Sequence, residues 1–363
     1  MRTLYLDTNV IGDLKYMGAK ELSIISFLRD NYDCKYSIYH IKEILNSPLK
    51  YQKPQIEVIS LLNAQYLEQV VDNTTNEPTD YFNGINTCPN DVLKHVKLDF
   101  FSRINDLLHA STVDMTHHYH GGQPDLTPKE QASKKFGDFL DLTAKLENEI
   151  ETTLGELKEN DLYELEAANC MNVEQLKKSI SRHFADLQFE FLRVITESSK
   201  SFDEKPSGQF SNQVGEFRKQ IDFTRLQLSQ IQPPNIVESI AKRMHENNIY
   251  SDQTCEDIFG ISRNFRHPDK PLLLWEKVYM VYMVYMQLNS IGYNKDENLK
   301  EESKVSAHLY DAQHLLPASV CSVLCTRDKK FRMKAIATYE YLAINTEVLS
   351  LSDLLEGVDL LGA

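Results

Sequence analysis

Apolar and polar positions along this 363-residue chain follow two different patterns. In the first fifty residues, short apolar runs alternate with helically spaced ones. "RTLYL" (2–6) predicts a strand, and "AKELSIISFLRDNY" (19–32) sets Leu22, Ile25, Phe27 and Leu28 at helical spacing. "CKYSIYH" (34–40) predicts a second strand rich in β-formers. A helix crossing between two strands implies that they run parallel. "IKEILNSP" then opens a helix that stops near Pro48. The last sixty residues return to this pattern. A helix with Val305, Leu309, Ala312, Leu315 and Leu316 on one stripe precedes "CSVLCT", an apolar strand; the basic helix "KKFRMKAIATY", a strand "YLAINT" and a helix "LSDLLEGV" follow. Strands apolar throughout are those covered on both faces.

Residues 51–300 read differently. Almost no alternation occurs there, and helices are expected near 53–72, 90–110, 127–157, 174–199, 212–230, 234–247 and 272–290. Breaks such as "NTTNEPTD", "KSFDEKPSGQ" and "QPPN" are dense in Pro, Gly, Asn and Asp. The expected fold is therefore a doubly wound parallel α/β sheet built from residues 1–50 and 303–363, with domain limits at 1–50 and 301–363. An all-α insertion, residues 51–300, interrupts it.

Composition narrows the class. No uncharged apolar run approaches a membrane span: "LLLWEKVYMVYMVYM" comes closest and contains Glu276 and Lys277. The opening "MRTLYLD" has no secretory pattern, so a cytoplasmic protein without membrane contact is expected. The six cysteines include no CxxC pair, which argues against a zinc cluster or a disulfide framework. A net charge of −14 disfavours a polyanionic partner, yet the charge is uneven. Residues 1–50 carry +1, residues 301–363 carry −3, and the remaining −12 lies between them.

Ligands of parallel α/β sheets gather at the carboxyl ends of strands. Four acidic residues fall where such a site needs them: Asp7 after the first strand, Glu43 after the second, Asp311 on the helix before "CSVLCT", and Asp328 just after that strand. Taken singly, each reads as a cap, a turn or a solvated helix face. Their joint order is more informative, because crowded carboxylates raise one another's pKa unless a cation joins them. Mg²⁺ or Mn²⁺ held by hard oxygen ligands activates water and neutralises a leaving oxygen.

The stretches "LYLDTNVI", "SIYHIKEIL", "LYDAQHLLPAS" and "SVLCTRDKKF" resemble the four acidic motifs of PIN-domain nucleases, in that family's order. The resemblance covers residues 1–50 and 303–352 and leaves the middle unmatched. It implies a metal-dependent endonuclease with Asp7, Glu43, Asp311 and Asp328 as metal-binding and catalytic groups. Thr8, Asn9, His314, Thr326 and Lys329 would orient those carboxylates or face substrate. The implied substrate is RNA, tRNA or another structured RNA included, with DNA as the alternative. Family roles in toxins and antiphage defence come with it, and the insertion would regulate the enzyme, select its substrate, or bind a protein partner or a second copy. The competing reading is an inactive PIN-like scaffold or nucleic-acid-binding protein.

Other features stay open between two readings. His314 is a phosphate contact or carboxylate orienter, or a packed histidine. Lys329, Lys330, Arg332 and Lys334 either meet a phosphate or line a solvated helix face. Arg263, Phe265, Arg266 and Lys270 interleave basic and aromatic groups as a nucleic-acid contact does, or form an ordinary loop. His117, His118 and His120 read as a surface turn ahead of a zinc site. The Tyr279, Tyr282, Tyr285 and Met280, Met283, Met286 stripe reads as core packing.

Overall fold

The computed structural model describes residues 1–71, 78–98, 213–220, 227–259, 274–299 and 301–356, with Asp222 and scattered positions between 113 and 193. The chain divides into two compact units, Met1–Leu98 with Gln213–Ala363, and Asp99–Asn212.

The first unit carries a six-stranded sheet in the order β4-β3-β2-β1-β5-β6. Its strands are β1 (Arg2–Leu6), β2 (Tyr32–Tyr36), β3 (Gln65–Val71), β4 (Pro78–Ile85), β5 (Val323–Cys325) and β6 (Glu347–Leu349). All neighbours are parallel except β3 and β4. In β1, Leu4 pairs with Cys34 of β2 on one side and with Val323 of β5 on the other.

Period-two alternation sorts the strand residues between two cores. Leu4, Leu6, Cys34, Tyr36, Val323 and Cys325 pack with α1 (Thr8–Leu14), α2 (Ala19–Asn31), α3 (Ile38–Asn46), α4 (Leu49–Leu61) and Val92 of α5 (Pro89–Leu98). Tyr5, Leu67, Leu324 and Val348 face the other layer. There they meet α7 (Ile236–Glu246), α8 (Cys255–Phe259), α9 (Leu274–Ile291), α10 (Glu302–Ala318) and α11 (Lys329–Tyr341). α6 (Gln213–Gln220) packs on α9, where Arg218 donates to Ser290 O over 3.0 Å, and α12 (Leu351–Leu354) closes the described chain.

Two strands correct the all-helical reading of residues 51–300. The helix expected over 53–72 stops at Leu61, because Asn63 takes a left-handed φ of 51° and Ala64 N–H reaches back to Ile59 O over 3.3 Å. That is a helix C-terminal cap, after which the chain can only leave the helix. Gln65–Val71 and Pro78–Ile85 then extend the sheet, and the sheet-bearing unit continues to Leu98 rather than ending at residue 50. The strand expected at "YLAINT" is displaced to Glu347–Leu349 for the same reason: Ala343 adopts φ 55° and Ile344 N–H bonds Tyr339 O over 2.8 Å.

In the second unit, described positions between Glu130 and Thr152 are helical, as are those between Glu174 and Arg193. Gln188 Nε2 donates to Thr143 Oγ1 over 2.6 Å and Ser181 Oγ donates to Glu147, contacts whose order makes the two segments antiparallel. Among the described residues, no helix is long and apolar enough to cross a membrane.

Candidate metal centre at the carboxyl end of the sheet

The chain leaves β1 toward β2 and β3, then returns to the other side of β1 as β5. The strand order reverses between β1 and β5, and a parallel sheet opens a ligand crevice at that point, at the carboxyl ends. Asp7 sits on this edge, one residue past β1, and is 1% exposed. Alternation puts it on the side of Tyr5, which faces α10. Asp7 Oδ2 accepts hydrogen bonds from Thr326 Oγ1 at 2.8 Å and Asn9 Nδ2 at 3.0 Å. Thr326 Oγ1 also accepts from the Asp328 backbone N–H at 3.1 Å, which ties the β5 loop to Asp7.

Glu43 is brought in by α3, whose start is fixed to the end of β1. Ser37 caps the helix and accepts from Tyr39 N–H, while Ser37 N–H donates to His40 Nδ1 over 3.0 Å. That bond places the His40 proton on Nε2, which donates to Leu6 O over 2.6 Å. Burial drives His40 down to about 3, with His314 adding repulsion, so it stays neutral and acts as a latch between α3 and β1.

Helix α10 supplies His308, Asp311 and His314 at three-residue steps, which share one side of a helix. His314 is fully buried. Its Nε2 lies 2.7 Å from Glu43 Oε2 and 3.3 Å from Thr8 Oγ1; its Nδ1 lies 2.7 Å from Tyr5 Oη, itself 2.7 Å from Ser37 Oγ. Burial opposes a charged His314, yet Glu43 and then Asp7 outweigh it and raise the imidazole above its ordinary value. Burial likewise opposes ionisation of Glu43, but His314 and the Thr8 hydroxyl hold that carboxyl below its ordinary value. Both ring nitrogens of His314 are thus engaged by one carboxylate and one phenol.

Asp7, Glu43 and His314 bring one ligand atom each within 4.8 Å of one another. The remaining predicted ligands lie differently. Asp311 is half-buried and accepts from Tyr285 Oη at 3.4 Å; burial, then the Asp7 carboxylate, pushes its pKa well above the ordinary carboxyl value. Asp7 is itself raised, first by burial and then by Glu43, against His314, Thr326 and Asn9. Asp328 caps α11, its Oδ1 accepting from Lys330 N–H at 2.7 Å and Phe331 N–H at 2.9 Å. Neither Asp311 nor Asp328 belongs to the three-residue group.

The basic face of α11 is engaged elsewhere. Lys330 pairs with Glu297 at 2.9 Å and Arg332 with Asp353 at 2.7 Å, while Lys329 is exposed at the first turn. Lys334 corrects the reading of a solvated helix face: it is fully buried against Asp296, with Nζ 4.5 Å from the Tyr285 ring centroid. Tyr285 does belong to the core, as its stripe implied, but its hydroxyl also reaches the site. Sequence reasoning passed over Tyr5, Ser37, His40 and Asp296. The residues 263–270 with Arg263, Phe265, Arg266 and Lys270 lie outside the described residues, as does His118. His117 and His120 belong to the second unit, and among the described residues no ligand group forms around them.

The donor chemistry fits a hard divalent cation. Two carboxylates converge beside a third, and burial first, then the repulsion among them, raises Asp7 and Asp311 above the ordinary carboxyl value, a conflict that a bound cation would relieve. His314, already hydrogen-bonded to Glu43, fits the outer role of orienting that carboxylate. Compared with known proteins, the chain matches no family model, no curated protein and no solved structure.

Proposed function

We propose that this chain is a divalent-metal-dependent nuclease of PIN type that hydrolyses phosphodiester bonds of RNA. The observation that carries the reading is the meeting of Asp7, Glu43 and His314, from residues 7 to 314 of the chain, within 4.8 Å at the crevice where strand order reverses. Asp7 and Glu43 would hold Mg²⁺ or Mn²⁺, with Asp311 beside them. The ion would supply Lewis-acid polarisation of a phosphoryl oxygen and a more acidic water. The chain's own groups supply order: Thr326 and Asn9 fix the Asp7 carboxylate, and His314 with Thr8 keeps Glu43 ionised and aimed for water or ion. Asp328 serves as the cap of α11 and shapes the β5 loop. RNA as substrate, and a role in defence or as a toxin, rest on the motif resemblance. The acidity of residues 51–300, −12, would repel nonspecific nucleic acid and so restrict the substrate range.

The test is degradation of labelled RNA with Mn²⁺ by the full chain and by Asp7→Asn and Asp311→Asn. Wild type should cut, and Asp7→Asn should lose on the order of a thousandfold in rate. Cleavage that survives both substitutions removes the site. A second reading, a PIN-like scaffold without catalysis, draws on the His314–Glu43 contact at 2.7 Å, which offsets part of the acidic charge without an ion. Inactivity of wild type on RNA and DNA in every divalent metal would favour it.

A further inference from the structure

Against the overall acidity of the chain, one surface near the site is basic and aromatic. Residues 15–20 and 49–53 contain four lysines and no carboxylate in a chain of net charge −14. They meet because α1 packs on α4. Lys15 is pinned there: its Nζ donates to Gly12 O over 2.7 Å and stands 4.6 Å from the ring centroids of both Tyr16 and Tyr51. Lys50 Nζ lies 4.8 Å from the Tyr51 centroid. Tyr16 is 69% exposed, although burying a tyrosine ring would ordinarily be favourable. Of the carboxylates flanking residues 15–20, Asp13 is taken by Arg327 at 2.5 Å, and Glu21 lies beside Gly18.

We propose that Lys15, Tyr16, Lys50 and Tyr51 form a docking surface for single-stranded nucleic acid, a base stacking on Tyr16, phosphates meeting the lysines, and Tyr51 holding the two ammonium groups in place. Two ammonium groups already stand at the Tyr51 ring, whereas the single ammonium at Tyr16 leaves the opposite face of that exposed ring as a platform for an unpaired base, and a duplex offers no such base. The position fits as well. Tyr16 lies two residues past the end of α1, the helix whose first residue, Thr8, follows Asp7 and contacts His314, so the surface and the carboxylates are joined by one short helix. This inference rests on the nuclease reading and narrows its substrate to unpaired strands.

Fluorescence anisotropy tests it, using the full chain in EDTA so that nothing is cut, with labelled single-stranded RNA, single-stranded DNA and an RNA duplex. Wild type should prefer the single strands. Tyr16→Ala should weaken them roughly tenfold and Tyr16→Trp should retain them. Lys50→Gln should lower the slope of log K against log salt by about 0.7. Thermal unfolding of Tyr16→Ala should match wild type. Unchanged affinity in Tyr16→Ala, equal binding of the duplex, or capture by anionic vesicles that the same substitution abolishes would each overturn the proposal. Loss of binding as expected, with no cleavage in any metal, would refute the nuclease reading alone. Asp7-dependent cleavage whose KM ignores Tyr16→Ala would refute the docking surface alone.

Discussion

Two charged clusters lie along α10 and have opposite charge balance. At one end, His308 Nδ1 is 2.5 Å from Asp296 Oδ2, and buried Lys334 contacts the same carboxylate. Burial opposes ionisation of Asp296, yet His308 and Lys334 together hold it far below the ordinary carboxyl value. At the other end, Asp7 and Glu43 share one internal cation, His314, while Asp311 feels Lys334; there burial, with the neighbouring carboxylates, pushes the carboxyls of Asp7 and Asp311 up instead. Asp311 stands between the ends, reached by Tyr285, whose ring lies under the Lys334 ammonium. A buried carboxylate whose charge is met by its neighbours needs nothing more; one whose charge exceeds them is poised for a cation. The difference separates a structural acid from candidate functional acids grouped around one helix.

The largest effect on stability should come from unbalancing the balanced end. Lys334→Met leaves Asp296 with His308 alone and should lower stability by about 3 kcal/mol in urea unfolding. At the other end, His314→Gln should cost about 2 kcal/mol by removing the imidazole that Glu43 and Tyr5 share, leaving them only Thr8 and Ser37. Its pH dependence has a definite sign. His314 is raised in the fold, so its contribution is full below about 6.5 and fades as pH climbs through the raised value. Glu43 is lowered, so its contribution is present above the ordinary glutamate range and fades on acidification. The penalty should peak between those limits. Asp7→Asn should act in the opposite direction and less strongly. Because Asp7 binds its proton more tightly folded than unfolded, wild-type stability falls as pH rises above about 4, and the substitution should flatten that decline. Tyr285→Phe should be smallest, about 0.5 kcal/mol, since its bond to Asp311 is long at 3.4 Å.

The sheet's centre was legible because its strands are short apolar runs ended by chemistry. β1 stands as read, and Asp7 is visible because it follows that apolar strand; the strand expected over 34–40 lies instead at Tyr32–Tyr36, because Ser37 caps α3 and turns Ile38–His40 into the first turn of the helix that carries Glu43. β3 was hidden: "QYLEQVV" spaces its apolar residues in a way that continues a helix as readily as it starts a strand, and only the Asn63 cap decides. Tyr5 and His40 looked like ordinary core, since their polar ends gain partners only once α3 docks on β1. Lys334 misled because a charged residue on a basic helix reads as solvated. Its partner Asp296 is 38 residues upstream, and nothing local announces the pairing.

Thermal unfolding of the full chain with increasing Mn²⁺ tests most directly whether the unbalanced end is a cation site. The midpoint of wild type should rise with concentration, corresponding to about 2.7 kcal/mol when the metal stands a hundredfold above its Kd, while Asp7→Asn should not respond. A wild type indifferent to Mn²⁺ and Mg²⁺, or an Asp7→Asn chain stabilised as much as wild type, would contradict the account.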